Sequence, residues 1–188
     1  MVLPLERESD AVEDEPALIA AAQRDPHAFG PLYRRYLARV YRYVRAHVPG
    51  EEEAADITQQ VFLQALDALP RYSERGVPFA AWLFRIARHT VADTYRRHHS
   101  TVALETLPTS LHPVMGQEPE ADLLRRESLA RLRELLAELD HGKRELLALR
   151  FAGQLSSPEI AAVVGRSPAA VKKQLTRILQ SLKERYDV

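Results

Sequence analysis

Three features of this 188-residue sequence predict an all-α chain built as two small helical domains joined by a flexible linker. Ala, Leu, Arg and Glu dominate, Val/Ile/Thr runs bounded by turns are missing, and aromatic residues make up only 7%, so helix is favoured over sheet. Apolar residues recur at three- and four-residue steps through two long stretches. Between those stretches a segment rich in proline keeps no apolar period.

Taken in order, residues 1–16 form an acidic N-terminus expected to be mobile, because chain ends fray unless tied down. Leu18, Ile19 and Ala22 open a first helix after Pro16. Phe29, Leu32, Tyr33, Tyr36, Val40, Tyr43 and Val44 mark a second, which Pro49-Gly50 ends. A third runs over residues 51–69, with three glutamates in its first turn where the helix dipole favours negative charge. Residues 70–78 form a loop, and a fourth helix covers 79–97. These helices make one domain, residues 17–98.

Residues 99–122 read as the linker, carrying Pro108, Pro113, Pro119 and Gly116. At ~3.3–3.6 Å per extended residue, some 22 residues of it reach at most roughly 75 Å, enough to hold two domains well apart. The second domain, residues 123–188, opens with leucines at 123, 124, 129, 132, 135, 136 and 139. A further helix covers 143–152 and ends at Gly153, and two more begin at Ser156 and Ser167.

The sequence contains no cysteine, which excludes disulfide scaffolds, thiol nucleophiles, Cys-ligated zinc and iron–sulfur clusters. No run approaches the ~18 apolar residues of a membrane span. The first residues lack a basic region followed by an apolar stretch, so a cytoplasmic location is expected. Lys plus Arg and Asp plus Glu both number 26. The distribution is uneven: net −5 over residues 1–26, +4 over 27–100, −3 over 101–127 and +4 over 128–188. Two basic blocks alternating with two acidic ones point to a nucleic-acid partner despite the neutral total.

The strongest local signal lies in residues 155–183. Ser156 and Glu159 have the capping-box spacing. Ile160, Ala161, Val163 and Val164 supply a buried face, and Gly165 ends the short helix because the turn needs a residue tolerant of positive φ. Ser167-Pro168 restarts a helix as N-cap and first helical residue. Val171, Leu175, Ile178, Leu179 and Leu182 form its core stripe. Off that stripe lie Ala169, Ala170, Lys172, Lys173, Thr176 and Arg177. Small residues let a helix approach base edges and long donors reach guanine and phosphate, so cap, turn, second cap and basic face together predict a DNA-binding helix-turn-helix.

In the third helix Ile57, Val61, Phe62, Ala65 and Leu69 fall on one half of the circumference. Asp56, Gln59, Gln60, Leu63, Gln64 and Asp67 occupy the other, nearly devoid of Lys and Arg. That face suits a protein partner or plain solvation. In the fourth helix Leu83, Ile86, Ala87, Thr90 and Thr94 point inward, while Arg85, Arg88, His89, Tyr95 and Arg96 gather on the other side. With Tyr72, Ser73 and Phe79 of the preceding loop, they form a candidate surface for single-stranded nucleic acid, arginines tracking phosphates and aromatic faces stacking on bases. Core packing is the competing role for Phe79, and the favoured one for Trp82 and Phe84.

Phe29-Gly-Pro-Leu-Tyr, Asp56-Ile-Thr-Gln-Gln-Val-Phe-Leu, Trp82-Leu-Phe-Arg-Ile-Ala-Arg and Asp93-Thr-Tyr-Arg-Arg together resemble the first conserved domain of bacterial sigma factors. Leu149-Arg-Phe-Ala-Gly-Gln-Leu-Ser-Ser-Pro-Glu-Ile-Ala, followed by Gly165-Arg-Ser-Pro-Ala-Ala-Val-Lys, resembles their promoter-reading C-terminal domain. The short two-domain layout is similar to the extracytoplasmic-function (ECF) group. Gln60 stands where the family commonly has an acid, and His89 where it commonly has Asn.

The resemblance implies a factor without enzymatic activity or cofactor that binds core RNA polymerase and promoter DNA. Asp56, Gln59, Gln60, Leu63 and Gln64 would grip the clamp of the largest polymerase subunit, and the C-terminal domain would meet the flap of the second-largest. Tyr72, Ser73, Phe79, Arg85, Arg88, His89, Arg96 and Arg97 would hold the unpaired strand of the −10 element. Arg166, Ser167, Ala169, Ala170, Lys172, Lys173 and Arg177 would read the −35 element. The acidic linker would enter the RNA path, and an anti-sigma factor is an expected partner, with no insertion into the membrane by the chain itself. The alternative is a stand-alone helix-turn-helix regulator, which would need its own dimer interface and a palindromic site. A metal enzyme built on His98-His99 lacks further ligands at helical spacing.

Overall fold

The computed structural model describes residues 14–73, 76–99 and 119–186, with side chains described over 14–73, 76–96 and 128–186. The expectations for the acidic N-terminus up to residue 13 and for residues 100–118 of the linker lie outside the described residues. Among the described residues there are eight α-helices and no strand, in agreement with the all-α prediction.

The N-terminal module contains α1 (Glu15–Arg24), α2 (Gly30–Arg45), α3 (Glu51–Ala68) and α4 (Phe79–His99). Pro16 and Pro31 lie in the first turns of α1 and α2, where a missing amide hydrogen costs nothing. Leu32, Tyr36, Val40, Tyr43 and Val44 of α2 are buried, as are Ile57, Val61, Phe62 and Ala65 of α3 and Leu83, Phe84 and Ala87 of α4. The side-chain amide of Gln23 donates to Leu69 O (3.0 Å) and Tyr72 O (2.8 Å), fastening α1 over the 3-10 turn that ends α3.

The C-terminal module contains α5 (Pro119–Ala137), α6 (His141–Leu147), α7 (Ser157–Val164) and α8 (Pro168–Tyr186). Asp140 caps α6 through Lys143 N at 2.9 Å, so this helix starts two residues before the predicted position. α6 runs on as a π turn over Ala148–Ala152 before Gly153. The capping box of α7 is formed as predicted, and Gly165 closes the helix with φ +70°. Ser167 Oγ accepts from Ala170 N at 3.2 Å to start α8. Val171, Leu175, Ile178 and Leu182 are buried. Leu179 is a correction to the predicted stripe: it faces solvent, because at about 100° per residue it falls at the edge of the line through Val171, Leu175, Ile178 and Leu182.

The linker length allows the modules to stand apart, yet in the structure they are docked. α4 packs on α7, α2 packs on the π turn, and one apolar core runs through both modules. Phe84 is fully buried against Gly153, where a Cβ would lie 2.7 Å from Phe84 Cε1. Only glycine permits that approach.

Candidate nucleic-acid interface

The outer face of α3 takes shape as the wheel predicts. Asp56, Gln59, Leu63 and Gln64 are exposed and Gln60 is half-buried. Leu63 has 57% of its surface in solvent among these polar neighbours. Gln64 Oε1 accepts from Thr90 Oγ1 of α4 at 3.2 Å, which fixes one amide of the row. A single exposed leucine ringed by amides and a carboxylate is chemistry for a protein surface, with no cation to attract phosphate.

On α4, Arg85, Arg88, His89 and Arg96 are exposed, while the Arg97 side chain lies outside the described residues. Arg96 is paired with Asp93. Ser73 is exposed in the loop before α4. Tyr72 and Phe79 require correction as stacking residues: Phe79 is 1% exposed and Tyr72 is also buried. Their rings meet edge to face at 5.6 Å, each also packs on Trp82, and Tyr72 donates its hydroxyl to Val77 O at 3.0 Å. Burying two aromatic rings in one cluster outweighs leaving them in water to await a ligand. Tyr95 also leaves the outer face, half-buried, with its hydroxyl donating to His47 O. Burial, then the nearby Glu53 charge, raises its pKa, so it stays a neutral donor.

The N-terminal half of α8 presents Ala169, Ala170, Lys172, Lys173 and Arg177 to solvent, preceded by exposed Arg166 and Ser167. Arg166 donates to Gln174 Oε1 at 2.6 Å across the first turns. Two alanines at the helix tip leave the backbone approachable, with cations set around them.

The sequence matches the Sigma-70 region 2 model over residues 32–101 and the Sigma-70, region 4 model over residues 129–182. It is 41% identical over 151 residues to the ECF RNA polymerase sigma factor SigD of Mycobacterium tuberculosis, covering 77% of this chain and 70% of that protein. The chain belongs to the ECF RNA polymerase sigma factors. It is also 34% identical over 184 residues to the ECF sigma factor ShbA of Streptomyces griseus, covering 91% of this chain and 96% of that one. Among solved structures it is similar to CnrH in complex with the cytosolic domain of CnrY, with a TM-score of 0.65, 30% identity and coverage of 91% and 96%. As a sigma factor it acts with RNA polymerase in transcription initiation. Among the described residues no group of side chains could hold a metal ion, and no helix is long and apolar enough to cross a membrane.

Sequence reasoning missed one cluster of this sigma factor. Glu145 of α6 is buried between α2 and α4. Its carboxylate accepts from the Tyr43 hydroxyl at 2.9 Å, meets His47 Nε2 at 2.8 Å and lies 3.6 Å from Arg88 Nε. Burial pushes the Glu145 pKa up, but hydrogen bonding and charge from His47, with Tyr43 and Arg88, bring it below the ordinary value. Burial, then the charge of Glu145, raises Tyr43 well above its ordinary value and keeps the phenol a donor. The only trace of this in the sequence is an acid directly before Leu146-Leu147, which no periodicity distinguishes from a surface residue.

Proposed function

We propose that the three exposed faces divide the work of initiation. The Asp56/Gln59/Gln60/Leu63/Gln64 face of α3 docks on the clamp of the largest subunit of core RNA polymerase. The Ser73, Arg85, Arg88, His89, Arg96 and Arg97 surface captures the unpaired strand of the −10 element, where unstacking a base costs a few kcal/mol that a binding pocket offsets. Arg166, Ser167, Ala169, Ala170, Lys172, Lys173 and Arg177 read the −35 element in the major groove. Residues 17–98 and 123–188 are the two working domains, with 99–122 as the connector and the C-terminal domain also meeting the flap of the second-largest subunit. Promoter DNA and core polymerase are thus its partners in the cytoplasm. The similar CnrH was solved with the cytosolic domain of CnrY, and a protein inhibitor acting on this chain belongs to the same reading.

The observation that carries this reading is the separation of surface chemistry: the α3 face around Leu63 offers amides and a carboxylate, whereas α4 and the start of α8 offer arginines and lysines. The test adds purified protein to sigma-free core polymerase and a library of promoter fragments, and sequences the transcripts. The wild type gives defined start sites. Asp56→Ala with Gln59→Ala lowers core affinity, whereas Arg177→Ala lowers −35-dependent initiation by about tenfold, within the 1–3 kcal/mol of a base contact, and leaves core affinity intact. Unchanged initiation in the Arg177 variant, or altered promoter choice without loss of core affinity in the α3 variant, overturns the assignment.

A further inference from the structure

His47 is used by none of the proposed polymerase or DNA contacts, yet its ring is held between two oxygens. It lies just past the end of α2, and its side chain is 14% exposed. Nδ1 is 2.8 Å from Tyr43 O in the last turn of that helix, and Nε2 is 2.8 Å from Glu145 Oε2 on α6. A backbone carbonyl only accepts, so Nδ1 carries a hydrogen. An ionised carboxylate also only accepts, so Nε2 carries another. A neutral imidazole has a single N–H and would set a bare lone pair against the carboxylate. The geometry is satisfied by the imidazolium.

The surrounding groups decide where the second proton sits. Glu145 Oε1 accepts from the Tyr43 hydroxyl at 2.9 Å, and Arg88 Nε of α4 lies 3.6 Å from the same oxygen. Against the cost of burial, His47 and these two donors keep the acid ionised, its pKa below the ordinary value. Tyr43 remains a neutral phenol, its ring centred 4.5 Å from the His47 ring. The last carbonyls of α2 carry partial negative charge, which favours a cation at this end of the helix. Arg88 opposes a second cation, but it is 46% exposed and therefore better screened than the enclosed carboxylate. Arg45 of α2 donates to Val48 O and Pro49 O at 2.8 and 2.9 Å. Tyr95 of α4 donates to His47 O, and the charges of Glu53 on α3 and Arg144 on α6 act on that phenol.

We propose that the contact between the modules is proton-linked: a proton held as the imidazolium of His47, between Tyr43 O of one module and Glu145 of the other, tightens the contact, and its loss as pH rises loosens it. Separation of the modules takes Glu145 away from the ring, so the proton is bound more firmly in the docked arrangement, and by linkage a rise in pH favours separation. Histidine ordinarily changes charge between about pH 5 and about pH 8, which places the response near neutrality. Further into acid, protonation of Glu145 removes the anion, so docking is tightest in the window between the two titrations.

The test uses the full chain. Because the sequence has no cysteine, Ala55→Cys and Ser181→Cys place one dye on each module, and the urea midpoint for loss of energy transfer reports how firmly they hold together. In the otherwise wild-type chain that midpoint is expected to fall between about pH 6 and about pH 8.5, corresponding to at least about threefold weaker docking. His47→Gln keeps an amide donor without a titrating ring, and Glu145→Gln offers an N–H to a neutral ring, so both are expected to lose this slope. Nitrogen NMR of the unsubstituted chain needs no variant: His47, recognised by its contact with the Tyr43 ring, should carry hydrogen on both ring nitrogens at about pH 6 and lose one as docking weakens. A neutral His47 ring at that pH in the docked chain overturns the proposal. So does a midpoint that stays flat over the range, or one that falls as steeply in His47→Gln as in the wild type, which would assign the response to another of the seven histidines. Where His47→Gln does not fold, the slope in Glu145→Gln and the NMR of the unsubstituted chain decide.

Discussion

Glu145 has 5% of its surface exposed and sits between two helices of the other module, a position that would be costly for a lone carboxylate. Its partners are what make burial tolerable, and they come from 98 and 102 residues earlier in the chain, His47 and Tyr43, together with Arg88. This explains why the sequence did not reveal it: an acid followed by two leucines in a short helix has no local mark of such partners. Because the folded-state pKa of Glu145 lies below its ordinary value, its contribution is fully present above the ordinary carboxylate range and is lost as pH falls through the lowered value. Urea-unfolding midpoints measured against pH should therefore drop on acidification below about pH 4, and Glu145→Gln should flatten that part of the profile. A drop of the same steepness in the variant would place the acid sensitivity elsewhere.

Among the helices, the α7–α8 pair was the most legible, because caps and turn glycines act through neighbouring residues only. Ser156 N and Oγ both lie within hydrogen-bond distance of Glu159 Oε2, at 2.7 and 2.6 Å, and Gly165 takes the left-handed conformation that a following turn requires. Ser156→Ala is expected to cost about 1 kcal/mol in denaturant unfolding, the usual worth of an N-cap, with the apolar stripe of α8 unaffected. A loss well under half of that would mean that packing alone sets the start of α7. The α3 wheel was equally readable, since a helix with one oily face and one amide-rich face has only one sensible orientation. Phe79 and Tyr72, read as ligand-facing from their place in the loop before α4, are instead buried. Position in a loop does not say which way a ring turns, and Phe79 is covered by Tyr36 of α2 and Tyr72 of the loop as well as by Trp82 one turn along α4.

For the molecule as a whole, the sequence blocks containing the two modules, residues 27–100 and 128–188, each carry a net charge of +4, which by itself disfavours their docking. Contact is made through backbone carbonyls, one buried carboxylate and the Phe84–Gly153 packing. Raising salt from about 50 mM to about 500 mM screens the long-range repulsion more than these close contacts, so energy transfer between dyes placed by Ala55→Cys and Ser181→Cys, one on each module, should hold or rise. Separation on adding salt would mean that exposed charge pairs hold the modules together. The amino-acid sequence by itself determined the helices, the helix-turn-helix, the chemistry of the α3 face and the sigma-factor resemblance, since each is written in side chains a few residues apart. Only the tertiary structure decided which arginines are engaged by distant parts of the chain. Arg39, Arg42 and Arg85 are claimed by backbone oxygens, and an oxygen common to every residue type leaves no mark in a sequence until folding brings it to its partner.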